Sequence, residues 1–199
     1  MLRNVVFNTD DENGVGRTIT LDARLRFDKT PTFKVSGSGK VLVNSATTKS
    51  ATEPPVTVTD TATLAFKPGA VLTKNSITVN EGATLEVAQS GVVSIEGTLS
   101  PVSGATLAFN FTDRKLAPVL EVAALDNENT DPNGIIWVSI SGLCPVGGPH
   151  VLTSGGMFGE RQIKLLEERQ PDWVKSVSCN ANGELVVDIK SIGTRIVVR

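Results

Sequence analysis

Two acidic residues, Asp60 and Glu81, have a spacing that could support chemistry. They occupy the same position in two similar segments, so their carboxylates would lie about 5 Å apart if those segments pair as neighbouring strands. Paired carboxylates cleave glycosidic bonds or bind calcium. Ser103 takes this position in the next segment, and no column of Arg, Lys or His accompanies the pair. We therefore expect corner residues here, with catalysis as the alternative.

A second candidate site is the acidic loop around residue 130. Asn129, Asp131, Asn133 and Gly134 match the first half of a calcium-binding loop, in which oxygens at alternate positions converge on the ion. The glutamate that closes such a loop is absent, because Ser141 and its neighbours are uncharged. We expect a solvated turn, no metal and no other cofactor.

The only histidine, His150, and the only cysteines, Cys144 and Cys179, lie in the C-terminal third of the chain. His150 lacks the G-x-S-x-G partner motif of a hydrolytic triad, so we expect a turn residue. Cys144 and Cys179 could form one disulfide in an exported protein, which would stabilise the fold by about 2–4 kcal/mol. Their spacing does not establish that the thiols face each other.

Tryptophans and threonines are the remaining candidate binding groups. We expect Trp137 and Trp173 in the core of the C-terminal region, with a sugar-binding platform as the alternative. Thr63, Thr84 and Thr106 recur at similar spacing and predict an outward column. An ice-binding face needs a second such column, which the sequence lacks, so these threonines are interpreted as strand formers.

These residues lie on or beside an internal repeat. The segments TATLAFK (61–67), GATLEVA (82–88) and GATLAFNFTD (104–113) begin 21 and then 22 residues apart. Alternating polar and apolar residues predict strands, and this period predicts one coil of a parallel β-solenoid. Coils stack about 4.8 Å apart and place like residues on like. The predicted inward columns are Leu64–Leu85–Leu107, Ala62–Ala83–Ala105 and Phe66–Val87–Phe109, with Val41 and Leu21 extending the first into two earlier coils with a slip of a residue or so.

Strands are predicted on both sides of the repeat, and no helix is expected before residue 155. Near the C-terminus, WVKSVSC (173–179) and ELVVDI (184–189) flank a turn and predict a hairpin, while RQIKLL (161–166) predicts a strand. We predict an all-β fold: a right-handed parallel β-solenoid over residues 1–125 and a β-hairpin cap over residues 126–199. A β-sandwich is the alternative.

The composition excludes several function classes. With 19 basic and 21 acidic residues, the net charge is −2, and no basic stripe favours nucleic acid. No apolar run is long enough to span a bilayer, so we expect no membrane insertion. The N-terminal sequence lacks the apolar segment of a signal peptide, while the composition favours a piece of a longer exported chain.

Three segments, GATLAFNFTD (104–113), HVLTSGG (150–156) and PDWVKSVSCNANGELVVDIK (171–190), resemble a known family. They are similar to the C-terminal section of bacterial proteins with autotransporter-associated β-strand repeats. The resemblance covers roughly residues 60–190. It implies a secreted or surface-exposed protein whose solenoid is a stalk or passenger, and it brings no metal or catalytic residues.

We therefore expect a non-catalytic structural or adhesive segment of an exported surface protein. Its expected partners are upstream solenoid coils of a longer chain, surface glycans or further copies of itself. The alternatives are a carbohydrate-binding or carbohydrate-cleaving module and a self-assembling filament element.

Overall fold

The computed structural model describes residues 5–22, 32–44, 55–72, 76–126, 134–156, 158 and 162–190. Within these ranges the chain forms short strands and a single 3-10 turn at Glu167–Arg169. The strands are β1 (Val5–Asn8), β2 (Thr18–Leu21), β3 (Phe33–Ser36), β4 (Lys40–Val43), β5 (Val56–Val58), β6 (Thr63–Phe66), β7 (Val71–Leu72), β8 (Ile77–Val79), β9 (Thr84–Val87), β10 (Gly91–Pro101), β11 (Thr106–Phe111), β12 (Pro118–Leu125), β13 (Ile135–Gly142), β14 (His150–Val151), β15 (Thr153–Ser154), β16 (Gln162–Leu165), β17 (Val174–Cys179) and β18 (Leu185–Ile189).

Two parallel sheets wind around a common core. The first sheet has the order β1-β3-β5-β8-β10-β12-β15, with β7 also paired to β10, and the second has the order β2-β4-β6-β9-β11-β13-β16. The chain passes alternately from one sheet to the other, so each turn adds one strand to each. This arrangement confirms the β-solenoid. It does not favour the β-sandwich alternative, whose neighbouring strands would be antiparallel.

The register of the second sheet reproduces the sequence repeat. Leu64 pairs with Leu85, and Leu85 pairs with Leu107, as predicted. All three are buried, because successive coils place the same side chain at the same inward position. In the first coil the predicted partner is wrong: Val41 pairs with Ile19, not with Leu21.

A third, shorter face develops in the later coils. β10 pairs with β12 in both of its halves, whereas on its other side Ser94 and Ile95 pair with β7 and its last residues pair with β8. The register shifts between Ile95 and Thr98, where the chain turns from one face to the next. Such an irregularity bends a strand without ending it.

The corners that precede β6, β9 and β11 share one turn. The N–H groups of Ala62, Ala83 and Ala105 donate to the carbonyl three residues earlier at 3.0–3.2 Å. Gly82 supplies the left-handed backbone conformation in its corner, with φ of 77°. Thr61 stands at the equivalent position one coil earlier, and there the left-handed residue is Asp60, with φ of 61°.

The solenoid closes with an antiparallel sheet of order β14-β18-β17, which confirms the predicted hairpin. Phe111, fully buried, extends the inward row of β11 into this cap. Its ring contacts Trp173 at 5.4 Å and His150 at 6.1 Å between centroids, both edge to face. The parallel stack itself continues through β13 and β16, so the predicted boundary at residue 125 lies within it.

Candidate functional site

A long groove runs along the outer face of the second sheet. Its volume is about 790 Å³, and it extends from Ser38 at the corner before β4 to the segment after β16. We call it the outer groove, defined by Lys40, Thr63, Thr84, Glu86, Thr106 and Glu168.

Strand register arranges the outer groove in two columns. Pairing of β4, β6, β9, β11 and β13 aligns the outward residues of successive coils. The first column carries the predicted threonines, and the second contains Glu86 between two alanines. The columns read Lys40–Thr63–Thr84–Thr106–Trp137 and Leu42–Ala65–Glu86–Ala108–Ser139.

An ion pair crosses the outer groove. Lys40 Nζ lies 2.7 Å from a carboxylate oxygen of Glu86, although the two residues are two coils apart. Ala65 belongs to the intervening coil, and it is fully buried despite its outward position. The side chains of Lys40 and Glu86 meet above Ala65, whose small side chain leaves room for them.

The segment Leu166–Glu168 forms a rim at one end of the groove. Leu166 N–H donates to Val138 O at 2.8 Å. Gln170 secures the same segment: its Oε1 accepts from Ile140 N–H at 3.1 Å, and its Nε2 donates to Leu166 O at 2.5 Å. The rim is therefore attached to the edge of the sheet by backbone and side-chain hydrogen bonds.

Trp137 lies at this end of the groove, and its predicted place in the core is wrong. Its neighbours Ile136 and Val138 are buried inward, so strand alternation directs Trp137 outward, where it is half-buried. It lines a cavity of about 630 Å³ that shares Leu166 and Glu168 with the outer groove. The alternation in IIWVSISG carried this signal.

Trp173 lies in the core of the C-terminal region, as predicted. It is half-buried, packs against the hydrophobic core and contacts Phe111 edge to face. It therefore anchors the cap rather than presenting a binding platform.

Asp60 and Glu81 contact different neighbouring coils of the solenoid. Asp60 Oδ2 accepts a hydrogen bond from Gly37 N–H at 3.0 Å, on the preceding coil. Glu81 packs against the following coil, since a Cβ built on Gly104 of that coil would lie 2.7 Å from Glu81 Cγ. Asp60 thus stabilises a corner, and the two carboxylates do not converge on one point.

The single histidine lies on β14, in the cap. His150 is half-buried, and its Nε2 is enclosed with no hydrogen-bond partner among the described residues. Burial lowers the pKa of His150 below its ordinary value of 6.5, because the imidazolium loses hydration there.

The two cysteines are free thiols, so the structure does not form the possible disulfide. Cys179 packs against the core, and burial raises its thiol pKa. Cys144 instead lines a cavity of about 740 Å³ in the cap, together with Arg114, Lys175 and Lys190. The excess of cationic side chains there favours anions over cations.

Residues 127–133, which include the proposed calcium ligands Asn129, Asp131 and Asn133, lie outside the described part of the chain. The described ranges contain no group of three or more His, Cys, Asp or Glu placed to hold a metal ion. They also contain no helix with the length and apolar character that a bilayer span requires.

Comparison with models of known protein families, with curated proteins and with solved structures finds no match to this chain. The β-solenoid is therefore established by strand pairing in the structure itself. The resemblance to autotransporter-associated repeats rests on the sequence motifs alone.

Proposed function

We propose that this chain is a non-catalytic stalk segment, structural or adhesive, of an exported bacterial surface protein. The observation that carries the proposal is the difference between the two ends of the solenoid. One end is covered by the antiparallel cap. At the other end, the inward side chains of the first coil are only half-buried: Val5, Phe7, Ile19 and Leu21.

The second coil shows what full stacking does to the same positions. Phe33 and Val35 pair with Val5 and Phe7, yet they are only 4% and 0% exposed. Among the described strands, β1 is the edge of its sheet, and a strand added beside it would bury the first coil equally and pair that edge. The fitting partner is a further solenoid coil of a longer chain, and a second copy of this chain is the alternative.

Surface location is supported by the resemblance of three segments to autotransporter-associated repeats. Labelling of intact cells of the native host with an antibody against this chain tests it. We expect labelling that disappears after protease treatment of the cell surface. Detection only after lysis would overturn the surface assignment.

The non-catalytic role is tested separately with a panel of polysaccharides. We expect no release of reducing ends by the purified chain. Turnover that persists in Asp60→Ala/Glu81→Ala would place a catalytic site elsewhere, and turnover lost in that variant would restore the acidic pair as its site. Either result would contradict the stalk proposal as stated.

A further inference from the structure

We propose that the outer groove binds an extended, uncharged polysaccharide chain. This inference names a class of ligand for the adhesive role proposed above. It rests on that proposed function only for the place where binding would occur, the cell surface. The binding itself is a property of the purified chain.

The shape of the groove favours a linear ligand. It crosses β4, β6, β9, β11 and β13, which are successive strands of one sheet. Strands in a sheet lie about 4.8 Å apart, so five of them give a track of about 19 Å along the solenoid axis. A compact metabolite would contact only part of this length, whereas several consecutive sugar units would contact all of it.

Hydroxyl groups recur along the track. Thr63, Thr84 and Thr106 contribute one hydroxyl per coil, all half-buried and aligned by the register. A hydroxyl both donates and accepts hydrogen bonds, as does each hydroxyl of a sugar. A ladder of such groups can therefore bind successive sugar units without requiring a charge on the ligand.

An aromatic surface continues the ladder at the rim. Trp137 follows Thr106 in the same outward column and lines the adjoining cavity beside Leu166 and Glu168. An indole ring combines a broad apolar face with one N–H donor. The apolar face of a pyranose ring can pack on such a surface, so the end of the track is equipped to hold one sugar ring.

The charges of the groove select against polyanions. Its lining and that of the adjoining Trp137 cavity carry two cationic side chains, Lys40 and Lys164, and three acidic ones, Glu86, Glu167 and Glu168, which sum to −1. Lys40 is already paired with Glu86 at 2.7 Å, and Glu168 is exposed on the rim. Nucleic acids and sulfated or uronic-acid glycans need a cationic surface, so the complementary ligand is a neutral chain.

Threonine on an outward strand position also has a purely structural use, because it favours extended backbone. The first sheet provides the matched case. Thr78 pairs with Thr57 and is half-buried at an outward position of the same coil as Thr84, but it is not part of the outer groove. Loss of its hydroxyl should leave glycan binding unchanged.

The test is calorimetric titration of the purified chain with linear neutral oligosaccharides of four to six units, including β-glucan, xylan, mannan and chitin fragments. We expect at least one series to bind with affinity that rises with length. Trp137→Ala should weaken that binding about tenfold or more, as loss of an aromatic anchor does at other interfaces. Thr84→Val should weaken it about threefold to tenfold, the effect of one hydrogen bond.

Thr78→Val is the control for Thr84→Val, and Trp137→Phe should restore part of the affinity that Trp137→Ala loses. Thermal unfolding of each variant confirms that it is folded. Absence of binding across all series overturns the inference, as does equal loss in Thr78→Val. Preference for sulfated or uronic-acid chains overturns its charge argument. Failed surface labelling with intact oligosaccharide binding would reject the surface role alone.

Discussion

At the residue scale, position within a coil decides what each side chain does. Leu107 is fully buried between its register partners Leu85 and Val138 on the neighbouring coils, whereas Leu116 is 56% exposed at a corner. The same residue type therefore contributes very differently to stability.

Leu107→Ala should lower the free energy of unfolding by about 2–5 kcal/mol, because it removes buried apolar surface and leaves a cavity in a stacked core. Leu116→Ala is the matched control and should change it by less than about 0.5 kcal/mol. Urea unfolding followed by circular dichroism measures both. Similar losses for the two variants would contradict the inward column.

The ion pair that crosses the outer groove should contribute little to stability. Glu86→Gln removes the charge that pairs with Lys40, and we expect a loss below about 1 kcal/mol that shrinks at high salt. Glu96→Gln, at an exposed position on the first sheet, is the control. A loss that is large and independent of salt would show that the pair fixes the register of the sheet.

At the element scale, close packing between coils restricts certain corners to glycine. Gly155, in the HVLTSGG segment, has φ of 87°, and a Cβ there would lie 2.2 Å from Val122 O. Gly14 also has a positive φ, of 75°, but its Cβ would meet nothing within 4 Å. The two glycines separate the cost of backbone conformation from the cost of collision.

Gly14→Ala should lower the free energy of unfolding by about 1–2 kcal/mol, the cost of a left-handed conformation for a residue with a Cβ. Gly155→Ala should lower it by about 3 kcal/mol or more, since collision with a backbone oxygen adds to that cost. Chemical denaturation gives both values. Equal losses would mean that β12 and β15 separate easily.

The cap should respond to pH through His150. Its pKa is lowered in the folded protein, so the unfolded chain binds more protons below pH 6.5, and stability falls as the pH drops through that range. Exchange of the backbone amides of β14, β17 and β18 at pH 7.5 and pH 5.5, each referred to the intrinsic exchange rate at that pH, gives the free energy of opening the cap. His150→Phe keeps a ring beside Phe111 and should remove the difference in this free energy between pH 7.5 and pH 5.5. A difference of the same size in that variant would assign it to the carboxylates.

At the scale of the whole molecule, stability is close to a sum over neighbouring coils. A solenoid therefore tolerates the addition of a coil in a way that a closed globular core does not. Residues 84–105 form one such coil, described throughout, between the equivalent positions Thr84 and Thr106.

A second copy of residues 84–105, inserted after Ala105, should give a folded and longer molecule. We expect a larger dependence of unfolding free energy on denaturant, because more surface is exposed on unfolding. Small-angle scattering should show an increase in length of about 5 Å, one coil. A scrambled insert of the same composition is the control. Aggregation of both inserted chains alike would argue against independent coils.

The amino-acid sequence by itself determined the central coils. Alternation assigns the inward face, and the period of 21–22 residues aligns Leu64, Leu85 and Leu107, because identical coils must stack identical positions. It also indicated the cap hairpin. Where corner lengths vary, the period no longer defines the register, and the partner of Val41 was therefore misassigned to Leu21.

Only the tertiary structure decided which residues are neighbours on the surface. Alternation in IIWVSISG indicates that Trp137 points outward. Its place beside Thr106 depends on the pairing of β11 with β13, and the chain between these two residues is much longer than the repeat, so the period does not predict it. The turn of Asp60 toward Gly37, away from Glu81, depends on a corner conformation that no spacing reveals. Inward positions are dictated by burial that every coil repeats, whereas outward neighbours come from corners and rims that differ from one coil to the next.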